Sequence, residues 1–237
     1  MKGDNKMIAK QAAAEKAVER VRDGMVVGLG TGSTAYWAIR RIAERVKEGL
    51  AVRAVSSSAR TEALAGELGI PLASFADVKA IDLYIDGADE VNPRGDLIKG
   101  GGGALLREKL LAYNSGEFIA IVDESKLVTT LGKFPLPVEV VPFAVELTLS
   151  NLARFRCNPS IRMEKEEPYK TDNGNFIIDC AFQEIRDPEE MNERIRRIPG
   201  VVETGLFPAM AGSIIVGRMD GTTYKLAPRG GTNDHPD

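Results

Sequence analysis

The chain repeats one local pattern: a short apolar run, a turn of glycine, serine or acid residues, then a stretch at helix spacing. Residues 25–29 lead into Gly30-Thr31-Gly32-Ser33-Thr34, and apolar positions return at helix spacing over 35–46. Residues 52–55 lead into Ser56-Ser57-Ser58 and a helix over 61–68 that Gly69 closes. A third run, 81–85, is interrupted only by Asp82 and ends at Asp86; a fourth, 118–122, ends in Asp123-Glu124-Ser125-Lys126. An amphipathic helix over 5–22, stopped by Asp23-Gly24, precedes them all. Strands that alternate with helices need right-handed crossovers and give a parallel sheet. Ligands of such sheets bind at the carboxyl ends of the strands.

After Gly132 the pattern changes, with Pro135, Pro137 and Pro142 marking entry to a new unit. Strand 138–141, helix 143–155, strand 161–163, strand 176–180, helix 188–198 and strand 201–204 follow. Asp187-Pro188-Glu189-Glu190 supplies a cap, a proline for the first turn and acids against the helix dipole. The order β-α-β-β-α-β is that of a ferredoxin-like module. Strand 213–216 and a hairpin at Asp220-Gly221 then return to the first unit. The expected class is α/β: a Rossmann-like parallel-sheet domain (1–131 and 205–227) carrying a second, smaller ferredoxin-like α+β domain (132–204), with a disordered tail over 228–237.

Net charge and residue usage remove several kinds of partner. A formal charge of -3 gives no general attraction to nucleic acid or anionic membrane, so an anionic ligand must be held by local groups. No apolar stretch is long enough to span a bilayer and the N-terminus lacks a signal peptide's apolar core, so a cytoplasmic location is expected. Cys157 and Cys180 make neither a disulfide framework nor a zinc spacing. The one histidine, His235, lies in the tail, so proton transfer in the folded part falls to carboxylates, lysines or tyrosines.

Residues 86–109 concentrate the chemistry. Asp86 and Asp89 flank Gly87-Ala88, and a tight turn there would point both acids at one pocket. Such a pair beside a lysine suits sugar hydroxyls and proton shuttling; the alternative is Mg²⁺. Lys99 then opens the run Gly100-Gly101-Gly102-Gly103, a flexible loop at the start of a helix over 104–113. On a helical wheel Glu108 falls among Leu111, Ala104, Leu105 and Ala112. Partial burial there would raise its pKa towards that of a general base; the alternative is a surface glutamate paired with a neighbouring cation. Residues 28–34 set backbone N–H groups and three hydroxyls at a helix N-terminus, fit for a phosphate monoester or simply for a tight capped turn. The loop lacks a Walker lysine and the dinucleotide glycine spacing. Lys10, Lys99 and Lys126 are the candidate cations. A phosphate cradle, hydroxyl-binding acids and a semi-buried glutamate describe an aldose–ketose isomerase, which needs no hydride cofactor and no metal.

At these positions the chain closely resembles ribose-5-phosphate isomerase of the A type. The matching motifs are Gly-Thr-Gly-Ser-Thr-Ala (30–35), Ser-Ser-Ser (56–58), Asp-Gly-Ala-Asp-Glu (86–90), Lys-Gly-Gly-Gly (99–102), Arg-Glu-Lys (107–109), Ser-Lys (125–126) and the segment 131–140; 171–175 and 198–207 extend the likeness. The resemblance implies interconversion of ribose 5-phosphate and ribulose 5-phosphate in the non-oxidative pentose phosphate pathway, through an enediolate and without a cofactor. It makes Glu108 the proton acceptor. Asp86, Asp89 and Lys99, with Gly87, Ala88, Gly100, Gly101 and Gly102, would bind the sugar and assist ring opening and oxygen protonation. Thr31, Gly32, Ser33, Thr34, Lys126 and Lys10 would hold the phosphate, and a homodimer or tetramer is implied. Ala181-Phe182-Gln183-Glu184 and Ala59-Arg60 depart from the pattern of some members. Related folds used as aminosugar-phosphate deaminases or phosphogluconolactonases would be expected to bring a histidine to the site. A non-catalytic sugar-phosphate sensor would need no base at Glu108 and would usually carry a DNA-binding module.

Overall fold

The computed structural model describes residues 2–226, with side chains from residue 5 onward; the proposed tail at 228–237 and His235 lie outside them. The first elements are α1 (Lys2–Val18), β1 (Val26–Leu29), α2 (Ala35–Lys47), β2 (Arg53–Ser56), α3 (Ala59–Glu67) and β3 (Ile81–Gly87). Then come β4 (Glu90–Val91), β5 (Leu97–Ile98), α4 (Leu105–Tyr113), β6 (Ser115–Asp123), β7 (Leu136–Val140), α5 (Val145–Ala153), β8 (Asn158–Ile161), β9 (Met163–Glu164) and β10 (Glu167–Pro168). The remainder is β11 (Phe176–Ala181), α6 (Pro188–Arg196), β12 (Val201–Thr204), β13 (Leu206–Phe207), β14 (Ser213–Gly217) and β15 (Thr223–Leu226).

Among the described residues, the largest sheet runs β15-β14-β6-β3-β1-β2. Its pairings are parallel from β14 through β2, and β15 closes one edge antiparallel through the turn at Asp220-Gly221. Side chains alternate faces along a strand, so β3 feeds two cores. Leu83 and Ile85 pack with Val27, Leu29, Ile119 and Ile121 against α1 and α2, where Ala13, Ala14 and Ala17 are fully buried. Tyr84 packs on the other face with Phe118, Phe207 and Leu111 of α4. The helix face holding Glu108 and the strand face holding Asp86 are thereby brought together.

A second, antiparallel sheet has the order β12-β7-β11-β8, with α5 after β7 and α6 after β11. This is the split arrangement of a ferredoxin-like module, with its own core of Val138, Val140, Leu152, Ile178 and Ile195. The two-residue strands β4, β5 and β13 form a small ribbon in which Leu206 pairs with Ile98.

Several boundaries differ from expectation by a few residues, two of them for a visible reason. The first helix stops at Val18 rather than at residue 22, because Arg20 and Val21 donate to the carbonyls of Ala17 and Val18 in tightened turns. The strand expected at 161–163 is instead β8 at Asn158–Ile161, and Met163 joins a separate ribbon with Pro168.

Candidate active site

β1, β3 and β6 are neighbours, and their carboxyl ends open on one edge of the sheet. A cavity of about 260 Å³ lies there, walled by Lys10, residues 31–34, residues 87–89, residues 99–102, Glu108 and Lys126. Thus the cavity gathers every candidate residue from the sequence except Asp86. Asp89 faces the cavity, where its carboxylate accepts from the Gly101 N–H at 2.8 Å.

Asp86 is completely buried behind the wall, so the expectation that both acids face one pocket holds for Asp89 alone. Tyr84 and Asp86 lie two residues apart on one face of β3, and the Tyr84 hydroxyl donates to Asp86 Oδ2. The Thr31 and Gly87 N–H groups donate to Oδ1 at 3.0 and 2.7 Å, and Lys99 Nζ donates to Oδ2 at 2.8 Å. With four donors in place, one of them an ammonium, this carboxylate has no room for a cation. The Mg²⁺ alternative at Asp86 and Asp89 therefore loses its first ligand. Close approach of the first loop depends on Gly30, where a Cβ would stand 2.1 Å from Asp86 Oδ1.

Lys99 is 2% exposed and also donates to the Gly87 carbonyl at 2.6 Å, while the Phe207 ring lies 5.5 Å below its ammonium. Burial opposes its charge, but the carboxylates of Asp86 and Glu108 outweigh that effect and raise its pKa. The lysine is therefore a fixed cation in a place shielded from water.

Glu108 is also 2% exposed, on the buried stripe that Leu105, Leu111 and Ala112 form along α4. It is not paired with its neighbours in sequence, since Arg107 reaches Asn173 and Asp172, and Lys109 reaches Glu203. Burial pushes its carboxyl up to about 8, and the Lys99 ammonium pulls in the opposite direction. Among the described residues no hydrogen-bond donor is aligned on Glu108 Oε2, although Lys99 Nζ is 3.3 Å away. A buried carboxylate with an uncommitted oxygen at a cavity wall is equipped to take a proton from a bound molecule.

The opposite end of the cavity suits an anion. α2 starts at Ala35 with no side-chain cap from Thr34, which leaves the positive end of the helix dipole facing the cavity, although the Tyr36 and Trp37 N–H groups donate to the carbonyls of Gly32 and Thr34. Lys10 Nζ donates to Ser33 Oγ at 2.7 Å, and Lys126 stands on the same wall. Thr31 Oγ1 is engaged away from the cavity, 2.8 Å from both Ser57 Oγ and Ser58 Oγ and 3.1 Å from Thr61 Oγ1.

Sequence reasoning missed Tyr84 and Arg162, whose guanidinium reaches the carbonyls of Gly100 and Gly101, and named Ser57 in the Ser-Ser-Ser turn without foreseeing its contact with Thr31. The period-two spacing of Tyr84 and Asp86 could have revealed the tyrosine. The contacts of Ser57 and Arg162 span 26 and 62 residues of chain and leave no local signal.

Residues 53–221 match the ribose 5-phosphate isomerase A (phosphoriboisomerase A) family. Ribose-5-phosphate isomerase A 1 of Oceanobacillus iheyensis is 51% identical over 91% of this chain and 97% of its own length. Ribose-5-phosphate isomerase A of Bacillus anthracis is 53% identical over 91% and 98%. The chain belongs to the ribose 5-phosphate isomerase A family. Among solved structures, ribose 5-phosphate isomerase A of Methanocaldococcus jannaschii superposes with a TM-score of 0.87 at 42% identity, covering 92% of this chain and 97% of that one. A D-ribose-5-phosphate isomerase in complex with phospho-erythronic acid superposes at 0.89 with 43% identity and the same coverage.

Proposed function

We propose that this chain interconverts D-ribose 5-phosphate and D-ribulose 5-phosphate by moving a proton between C1 and C2 through an enediolate. The observation that carries this reading is the buried Glu108 carboxylate, at a cavity wall, 3.3 Å from the fixed Lys99 ammonium. The phosphate sits against Gly32, Ser33, Thr34, Lys10 and Lys126. The other end of the open-chain sugar then lies between Asp89 and Glu108. Glu108 takes the proton from C2 of the aldose; the C–H electrons form the C1–C2 double bond and the carbonyl electrons move to O1. Lys99 faces the charge that develops on oxygen, in a site with little water to screen it. Asp89 is placed to carry the O2 hydroxyl proton towards O1, and Glu108 returns its proton to C1. Phospho-erythronic acid, bound by one of the solved relatives, supports this reading. Its carboxylate presents two oxygens on one trigonal carbon, resembling the charge of an enediolate.

The division into domains at 1–131 with 205–227 and at 132–204 belongs to the same proposal. So do a cytoplasmic location, a homodimer or tetramer, and a place in the non-oxidative pentose phosphate pathway. Among the described residues no helix is long and apolar enough to cross a membrane.

Assays on ribose 5-phosphate and on other aldose phosphates, each with a chelator present, test the assignment. Turnover of ribose 5-phosphate well above the others and insensitive to chelator is expected; preference for another sugar, or collapse on chelation, would overturn it. The pH dependence of kcat/KM supplies a second check. Glu108 must be ionised to act, and burial raises its pKa, so activity should fall as pH falls through a limb well above the ordinary glutamate value of about 4.3. A limb near that ordinary value would mean that Glu108 is solvated in the working enzyme.

A further inference from the structure

The antiparallel sheet contributes no residue to the cavity wall, yet one of its side chains holds the glycine turn that does. Arg162 follows β8 and continues that strand's pairing, its N–H donating to the Ile177 carbonyl at 2.8 Å. Its guanidinium is fixed by two bonds to Asp179 of β11, Nε to Oδ2 at 2.8 Å and Nη2 to Oδ1 at 2.5 Å. The remaining Nη1 donates to the Gly100 carbonyl at 3.1 Å and the Gly101 carbonyl at 3.2 Å. Side-chain exposures of 16% for Arg162 and 24% for Asp179 keep the pair mostly out of water.

A trans peptide directs its C=O and N–H to opposite sides. Holding the Gly100 carbonyl therefore aims the Gly101 N–H away from Arg162, and that N–H is the one donating to Asp89. Holding the Gly101 carbonyl aims the Gly102 N–H the same way, and Gly102 lines the cavity. A cation on the carbonyl side also polarises each peptide unit and strengthens its N–H as a donor. Within the turn the Gly103 N–H donates to the Gly100 carbonyl at 3.0 Å. Glycines have no side chains with which to add to that bond, and Arg162 supplies a second hold on the Gly100 carbonyl and a hold on the Gly101 carbonyl from outside.

We infer that Arg162, locked by Asp179, is a positioning residue for the isomerisation: it orients the Gly100–Gly102 peptides so that Asp89 and the Gly102 N–H meet the reacting end of the sugar. The inference rests on the isomerase reading above. It assigns the antiparallel sheet a part in turnover without contact with substrate.

The test compares the parent with Arg162→Met and Arg162→Lys, measuring kcat and KM for ribose 5-phosphate. Inhibition by inorganic phosphate and by phospho-erythronic acid is measured alongside, with thermal unfolding as a check on folding. In Arg162→Met, kcat should fall on the order of tenfold to a hundredfold, as expected for misplacement of groups at a reacting centre. KM should stay within about threefold, since the phosphate subsite is untouched. Inhibition by inorganic phosphate should be unchanged, whereas phospho-erythronic acid should weaken in step with kcat/KM. Parent-like kcat, or equal weakening of both inhibitors, overturns the inference. If Arg162→Met does not fold, Arg162→Lys decides. One ammonium cannot span two carbonyls and both Asp179 oxygens, so a smaller kcat loss with the same split between inhibitors supports the clamp, and parent-like kinetics sink it. Absence of ribose 5-phosphate turnover in the parent would count against the isomerase reading itself.

Discussion

Replacing Lys99 by methionine should remove both stability and activity. The ammonium is 2% exposed, and it is the cation facing two buried carboxylates, Asp86 at 2.8 Å and Glu108 at 3.3 Å. Deleting one partner of a buried ion pair leaves an uncompensated charge, which costs about 3–5 kcal/mol. Urea denaturation at neutral pH should show a loss of this size. The deficit should widen as the pH rises through about 8, because Glu108 ionises there and the variant has no ammonium facing that second buried carboxylate. Turnover of whatever remains folded should fall about a hundredfold to a thousandfold, the usual effect of losing one group that stabilises a developing oxyanion. A variant with parent-like stability and kcat would show that Lys99 neither holds the site together nor meets the reacting oxygens.

Replacing Glu108 by glutamine should instead spare the fold and stop the reaction. The amide has the carboxyl's shape and sits on the same apolar stripe of α4, while Lys99 keeps Asp86 as its partner. It cannot accept a proton from carbon, so kcat should fall by about 10²–10⁴, the range for loss of a positioned general base. The proposed phosphate subsite around Ser33, Lys10 and Lys126 is built from other elements, so KM and inhibition by inorganic phosphate should change little. A rise in KM with kcat preserved would move Glu108 from proton transfer to simple binding.

Much of this site is legible in the sequence because its parts are local. Asp86 follows an apolar run and the hydroxyl loop follows another, while Glu108 falls on the buried stripe of a helix, so strand and helix periodicity place all three. Asp86 shows the limit of that reasoning. Its position at a strand end is readable, but its orientation is set by Tyr84, the Thr31 N–H and Lys99, which only the folded chain brings together. The ribbon of β4, β5 and β13 escapes notice because strands of two residues carry no periodicity. Arg162 escapes because its partners in the glycine turn are 61 and 62 residues away.

Exchange of solvent deuterium tests proton transfer at Glu108 most directly. With ribose 5-phosphate and ribulose 5-phosphate held at equilibrium in D₂O, proton magnetic resonance follows loss of the hydrogens on C2 of the aldose and on C1 of the ketose. The parent should exchange them at a rate comparable to turnover, and Glu108→Gln should leave them in place while still binding inorganic phosphate. Exchange by Glu108→Gln at the parent rate would contradict the account.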